Sequence, residues 1–177
     1  MKKIKLTCGF STIVDDEDFE ELSKHKWQYN SIGYAVRTVA LDDKTRTSLY
    51  MHVAIMGKID GLEIDHINGN KLYNRRENLR HVTREQNNQN RKPNKNASSK
   101  YKGVCWHKNN QKWGSQIKIN GKCIYLGSYK SEEDAALAYN EAAIRLQGQY
   151  ARLNTIDCEG LTPKQIELLE ETEVGDY

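Results

Sequence analysis

The sequence predicts an α+β protein of two small modules: a strand, loop, strand and helix first, then a three-stranded antiparallel sheet packed on one helix. Three observations carry that prediction. First, Ile64-Asp65-His66-Ile67 is a short apolar run ahead of the turn-forming pair Asn68-Gly69. Leu79 to Val82 supplies a second strand, and Thr83 with Gln86 three residues on is a capping box that starts a helix. Second, three runs with alternating polar and apolar side chains follow from Tyr101, separated by Asn109-Asn110 and Asn120-Gly121. Third, residues 89–98 are polar, contain Pro93 and lack apolar periodicity, which makes them a basic linker.

The remaining elements follow in order. Residues 15–26 read as a helix with acids at its positive end and Phe19 and Leu22 inward. Residues 34–39 and 47–53 read as strands that buttress the first module, so that residues 1–88 form one domain. In the second domain, 99–154, Ser131-Glu132-Glu133-Asp134 opens a helix whose apolar stripe is Ala135, Ala138, Tyr139, Ala142, Ala143 and Leu146. The tail, 155–177, carries an acidic accessory helix starting at Thr162-Pro163.

Composition narrows the function classes. At 177 residues, 37% hydrophobic and a mean hydropathy of −0.84, the chain suits one or two small domains and not one large core. No run of about 18 apolar residues is present, and Met1-Lys2-Lys3 leads into polar sequence, so a soluble cytoplasmic protein is expected. Cys8, Cys105, Cys123 and Cys158 are isolated and read as reduced thiols. The net charge of +3 hides an asymmetry. Residues 71–130 hold fifteen Lys or Arg against Glu77 and Glu85, a net +13, and the rest of the chain carries −10. A basic block running from one module into the next suits a phosphate backbone, with Arg75, Arg76, Arg80, Arg84, Arg91 and Lys92 as candidate DNA contacts.

The first module carries the chemistry. Phosphodiester hydrolysis needs a water deprotonated in line with the leaving oxygen, and an imidazole with an unperturbed pKa of about 6.5 suits that task, which assigns His66 as general base. The departing oxygen gains negative charge, which one divalent cation held by hard oxygen ligands stabilises. Asp65 offers a charged ligand and Asn87 a neutral carbonyl. Asn78, with donors and acceptors, is expected to brace the loop opposite His66 and fix the ring. His25, His52, His81 and His107 have no partner at ligand spacing and read as structural or surface residues. His52 precedes the apolar Val53-Ala54-Ile55-Met56 and is the one expected near the site.

This segment resembles the HNH, or ββα-metal, nuclease motif in the form whose last His is replaced by Asn, here Asn87. The wider stretch, from Val14-Asp15-Asp16-Glu17-Asp18-Phe19 through Tyr50-Met51-His52 to Gln86-Asn87, is similar to phage homing-type HNH endonucleases. In that family the positions matching His66, Asp65 and Asn87 are base and metal ligands, and Asn78 matches the middle Asn. Asparagine is a weaker transition-metal ligand than histidine, which favours Mg²⁺ or Mn²⁺ over Zn²⁺. The resemblance also implies a phage-encoded enzyme working in a bacterial host cell.

The second module resembles the plant ethylene-response-factor (Apetala-two type) DNA-binding domain over Ser99 to Asn154. The signatures are Tyr-Lys-Gly-Val at 101–104, Trp113, Tyr125-Leu126-Gly127, Glu133-Asp134-Ala135-Ala136 with Ala138-Tyr139, and Ala151-Arg152-Leu153-Asn154. In that family the sheet lies in the DNA major groove, which implies contacts from Lys102, Trp113, Gln116, Lys118 and Tyr125. Alternation alone adds Trp106 and Lys112 to the face displayed outward with Lys102, Gln116 and Lys118, and Lys122 is a further candidate DNA contact. Lysine meets phosphate well but lacks the bidentate guanine reading of arginine.

The sequence therefore predicts a metal-dependent, site-directed DNA endonuclease of homing type, nicking double-stranded DNA as a monomer. The competing expectation is a non-catalytic, sequence-specific DNA-binding regulator on a decayed nuclease fold.

Overall fold

The computed structural model describes residues 1–94 and 96–156. The expected acidic helix at 162–170 and Cys158 lie outside the described residues. The chain divides into two compact units, Met1–Asn88 and Gln89–Tyr177. Among the described residues no helix is long and apolar enough to cross a membrane.

In the first unit β1 (Lys2–Lys5) pairs antiparallel with β2 (Ser11–Val14), and α1 (Asp16–Ser23) follows directly. Next come β3 (Gln28–Tyr29), β4 (Ala35–Ala40) and β5 (Arg46–Tyr50), an antiparallel sheet in that order. The sequence extends β5 to Val53, but the strand stops at Tyr50 and Met51–Met56 forms α2. The apolar run suits either element, and the helix sends Met51, His52 and Ile55 together into the interior. Their core includes Ile4, Leu6, Val14, Leu22, Trp27 and Leu79. Trp27 is 1% exposed, its indole N–H donates to the Leu22 carbonyl at 2.8 Å, and its burial contributes about 2–3 kcal/mol.

On this platform stand β6 (Glu63–His66) and β7 (Leu79–Val82), paired antiparallel with Asp65 opposite Arg80 and His66 opposite Leu79. Thr83 and Gln86 then cap α3 (Arg84–Gln89) reciprocally. The Thr83 N–H donates to Gln86 Oε1 at 2.8 Å, and the Gln86 N–H donates to Thr83 Oγ1 at 3.3 Å. The Asn68-Gly69 pair turns the chain out of β6, with Gly69 at φ 71°, into a loop instead of straight into β7.

In the second unit β8 (Val104–His107), β9 (Lys112–Ile119) and β10 (Lys122–Tyr129) form an antiparallel sheet with β9 central. Asn120 and Gly121 both take positive φ, 50° and 74°, as a tight β9–β10 turn requires. Helix α4 (Glu132–Gln147) is capped by Ser131, whose hydroxyl accepts from the N–H groups of Glu133 and Asp134. Tyr139, Ala142 and Ala143 of α4 pack with Ile117 of β9. The small alanines bring helix and sheet close. Leu146, expected on the stripe, is exposed, while Ala136, Asn140 and Gln147 are buried. A second face of α4 meets the segment after it: the Asn140 amide exchanges hydrogen bonds with the Asn154 backbone at 2.8 and 2.9 Å. The Asn154 side chain in turn brackets the Lys102 backbone at 2.7 and 3.0 Å.

Candidate active site and nucleic-acid interface

Asp65 and His66 end β6 and are both buried, 7% and 4% exposed. The His66 ring is enclosed by His52 at 5.2 Å and Tyr34 at 5.9 Å between centroids, and Tyr34 and Tyr50 lie 5.1 and 5.4 Å from His52. Lys71 caps this box, its ammonium 4.5 Å above the Tyr34 ring and donating to the Ile32 carbonyl at 2.8 Å. Burial lowers the His66 pKa and Lys71 acts in the same direction, outweighing the opposing pull of the Asn74 hydrogen bond and of Asp65. The net effect favours the uncharged imidazole. His52 is lowered further, to about 4, by burial and by His66. The sequence places His52 near the site as a packing residue, and there it stands.

The partner of the His66 ring is one the sequence did not single out. His66 Nε2 lies 3.0 Å from Oδ1 of Asn74, which is 1% exposed. Of the two tasks expected of Asn78, bracing the loop and fixing the ring, its hydrogen bonds serve the loop: its Oδ1 accepts from the Asn68 N–H at 3.0 Å and its Nδ2 donates to the Tyr73 carbonyl at 2.8 Å. Both amide ends are thereby engaged with the loop that joins β6 to β7. Asn74 gave no sequence signal, because a loop has no period to mark its buried positions.

Glu63 stands two residues before Asp65, on the same face of β6 by the strand's period of two. Asn87 Nδ2 donates to Glu63 Oε2 at 2.6 Å. A carboxylate only accepts, so this bond fixes the amide and leaves the Asn87 carbonyl oxygen as the donor for a cation. Asp65 receives the Arg80 guanidinium across the β6–β7 pair, Nε and Nη2 both on Oδ2 at 3.1 and 2.9 Å. Among the described residues no three His, Cys, Asp or Glu gather into a metal cluster. The candidate donors, the Asp65 carboxylate and the Asn87 carbonyl, are hard oxygens of the kind that Mg²⁺ or Mn²⁺ takes.

Several candidate DNA contacts are occupied otherwise. Arg75 pairs with Asp15 at 2.7 Å and Glu77 at 2.6 Å, and Arg76 with Glu17 at 2.9 Å and Asp18 at 2.7 Å, tying the loop to the start of α1. Burial pushes the Asp15 carboxyl up, but the Arg75 hydrogen bond and the Arg76 N–H outweigh it and the net shift is downward. Arg80, as above, is bound to Asp65. Arg84, Arg91 and Lys92 are exposed.

Register corrects the face of the second module. Trp106 stands opposite Trp113, their rings 4.9 Å apart, and Trp113 packs into the core with Tyr101, Val104 and Ala135. Both tryptophans therefore lie on the side that meets α4, not with Lys112, Gln116 and Lys118. Alternation from Tyr101 breaks at Gly103, whose φ of 78° reverses the strand's phase ahead of β8. Lys122 likewise pairs with Ile119 on the α4 side. Lys102 is half-buried, with its pKa lowered to about 8 by burial and by Arg152 and Arg91. The open face carries Lys112, Gln116, Lys118 and, opposite Gln116, Tyr125, which is 61% exposed.

Comparison with known proteins agrees with this division. A family model described as HNH endonuclease matches residues 51–89, and an AP2 domain model matches residues 99–149. An uncharacterized HNH endonuclease of Acanthamoeba polyphaga mimivirus is 36% identical over 150 residues, 84% of this chain and 77% of that protein. An AP2-like ethylene-responsive transcription factor of Arabidopsis thaliana is 43% identical over 58 residues, 32% of this chain and 17% of the factor. APETALA2-like protein 2 of Oryza sativa subsp. indica is 38% identical over 60 residues, 34% of this chain and 14% of that protein. The plant proteins match over lengths that fit one module, whereas the viral match is long enough to span both. With the HNH match falling on the residues that build the site, this chain belongs to the HNH endonuclease family and carries an AP2 domain at its second module.

Proposed function

We propose that this chain is a metal-dependent DNA endonuclease directed to its target by the AP2 domain, with His66 as general base and Asp65 and Asn87 as metal ligands. The observation that carries the reading is the setting of His66: buried, with its pKa lowered by that burial, held through Nε2, and one residue from a carboxylate. In this reading Nδ1 of His66 takes the proton of the attacking water. A divalent cation held by Asp65 and Asn87 supplies charge stabilisation at the leaving 3′ oxygen and a grip on the scissile phosphate. Asn78 keeps the β6–β7 loop closed behind the base. The open sheet face of Lys112, Gln116, Lys118 and Tyr125, with Arg84, Arg91 and Lys92, contacts the DNA. One such site per chain nicks one strand per engagement, and the protein acts as a monomer. The homing type and a phage or viral setting belong to the same proposal, supported by the viral relative.

The Asp65–Arg80 pair favours a second reading, because a ligand carboxylate satisfied by a protein cation suits a DNA-binding regulator that no longer cuts. A supercoiled plasmid carrying the chain's own flanking sequence separates the two. With Mg²⁺ or Mn²⁺ the wild type nicks it, and His66→Ala lowers nicking by about 10²-fold or more while gel-shift binding persists. Equal cutting by His66→Ala removes His66 from the mechanism, and no metal-dependent cutting by the wild type sinks the enzyme reading.

A further inference from the structure

We infer that Asn74 and Thr12 are positioning residues that hold His66 in a single neutral tautomer, with the proton on Nε2 and the lone pair on Nδ1. The inference rests on the reading of His66 as general base, and deepens it. Two acceptors hold the Asn74 amide nitrogen. Nδ2 donates to the Lys71 carbonyl at 3.3 Å and to Thr12 Oγ1 at 2.8 Å. Thr12 is fully buried, and its own hydroxyl proton goes to the Leu72 carbonyl at 2.9 Å, so toward Asn74 it acts as acceptor. With both amide hydrogens committed, the Asn74 group facing His66 is the carbonyl oxygen, 3.0 Å from Nε2. A carbonyl has no proton to give. Nε2 must therefore donate, and in a neutral ring the remaining nitrogen, Nδ1, carries the basic lone pair.

Donation thus runs from His66 Nε2 through Asn74, and through Thr12, to two backbone carbonyls of the β6–β7 loop, which accept at its far end. Thr12 belongs to β2, whose neighbour Ile13 exchanges backbone bonds with the same loop, its N–H donating to the Leu72 carbonyl at 2.9 Å and its carbonyl accepting from the Asn74 N–H at 2.8 Å. The loop is clamped to β2 at main chain and side chain alike, and this gives Asn74 its orientation without any contact to DNA or metal. A wrong tautomer would leave the lone pair on Nε2, facing the protein, a fault that costs about 10²- to 10⁴-fold in turnover where the base is otherwise intact.

The test is nitrogen NMR of the full chain labelled at histidine, at pH 8 without metal, where the pattern of ring couplings distinguishes the two neutral tautomers. Wild-type His66 is expected as the Nε2–H form. Asn74→Ala is expected to give a mixture of tautomers and kcat for plasmid nicking lowered by about 10²-fold with KM held within a factor of two, while Asn74→Asp keeps an acceptor at the ring and restores the Nε2–H form. Thr12→Val is expected to broaden the tautomer signal and Thr12→Ser to recover it. Wild-type His66 found in the Nδ1–H form overturns the inference with no variant needed, as does an unchanged tautomer in a folded Asn74→Ala. The tautomer readouts do not depend on cutting, so a failed nuclease reading and a failed tautomer assignment are told apart.

Discussion

Glu63 offers the most direct probe of the metal-ligand assignment, because it is exposed and its change to alanine disturbs little else. Its carboxylate accepts the Asn87 amide at 2.6 Å, a charge-assisted hydrogen bond that keeps the amide nitrogen away from the cation side. Such a bond is worth about 1.5–3 kcal/mol when shielded, and solvent at Glu63 brings it to the low end, about 1.4 kcal/mol, or tenfold in an equilibrium constant. Removing the nearby negative charge acts in the same direction. Glu63→Ala is therefore expected to weaken Mn²⁺ binding about tenfold, within the 10- to 100-fold range of residues that orient metal ligands. Glu63→Gln, which keeps an acceptor oxygen without its charge, should fall between alanine and wild type. Paramagnetic resonance of free Mn²⁺ during titration reads the affinity without any DNA. Binding unchanged within a factor of two, or tightened, would refute the reasoning that Glu63 presents Asn87 to the metal.

The His52 imidazole titrates at about 4 in the folded chain against 6.5 unfolded, so between those values the unfolded chain binds a proton that the folded one refuses. Stability is intact above about pH 6.5 and is lost as pH falls toward 4, by about 3 kcal/mol across the window, and denaturant unfolding of His52→Phe should show a flatter pH dependence. Parallel curves for the two proteins would exclude this cause. In the second unit, a Cβ on Gly103 would overlap the Tyr139 ring and sit 2.6 Å from the Gln116 carbonyl, at a φ of 78°. Gly103→Ala should cost about 3 kcal/mol or more in chemical denaturation, and a loss below about 1 kcal/mol would mean that the surroundings relax freely. Replacing both Lys112 and Lys118 by Ala should reduce the slope of log binding constant against log salt by about 0.9 for each phosphate no longer neutralised. An unchanged slope would place both lysines off the backbone.

The sequence by itself determined what depends on neighbours along the chain. The capping box at Thr83 and Gln86, the Ser131 cap, the Asn120-Gly121 turn and the alternation of β9 are local chemistry, and each stands in the structure where the residues indicate. The proposed site residues Asp65, His66 and Asn87 were singled out for the same reason, their spacing being set by two short strands and a capped helix. Glu63 was within reach, since a period of two puts it beside Asp65, but nothing in the sequence said that Asn87 would return to it.

Only the tertiary structure decided what depends on the loop between β6 and β7 and on residues distant in sequence. Asn74 became the partner of His66 because β2, 62 positions earlier at Thr12, clamps the loop and buries that amide. Arg75, Arg76 and Arg80, basic residues in a basic block, pair with Asp15, Asp18 and Asp65 because folding brought those carboxylates within reach, the first two pairs toward the surface and the third largely buried. Trp106 changed sides because one glycine of positive φ ahead of β8 shifts the phase of that strand, and a shift by one residue exchanges its two faces. Trp113, on β9, takes the core side that the alternation of its own strand dictates. Local pattern names the elements and the candidate groups. Which hydrogen bond orients each group, and which charges pair with a carboxylate, is settled by long-range pairing that spacing along the chain does not encode.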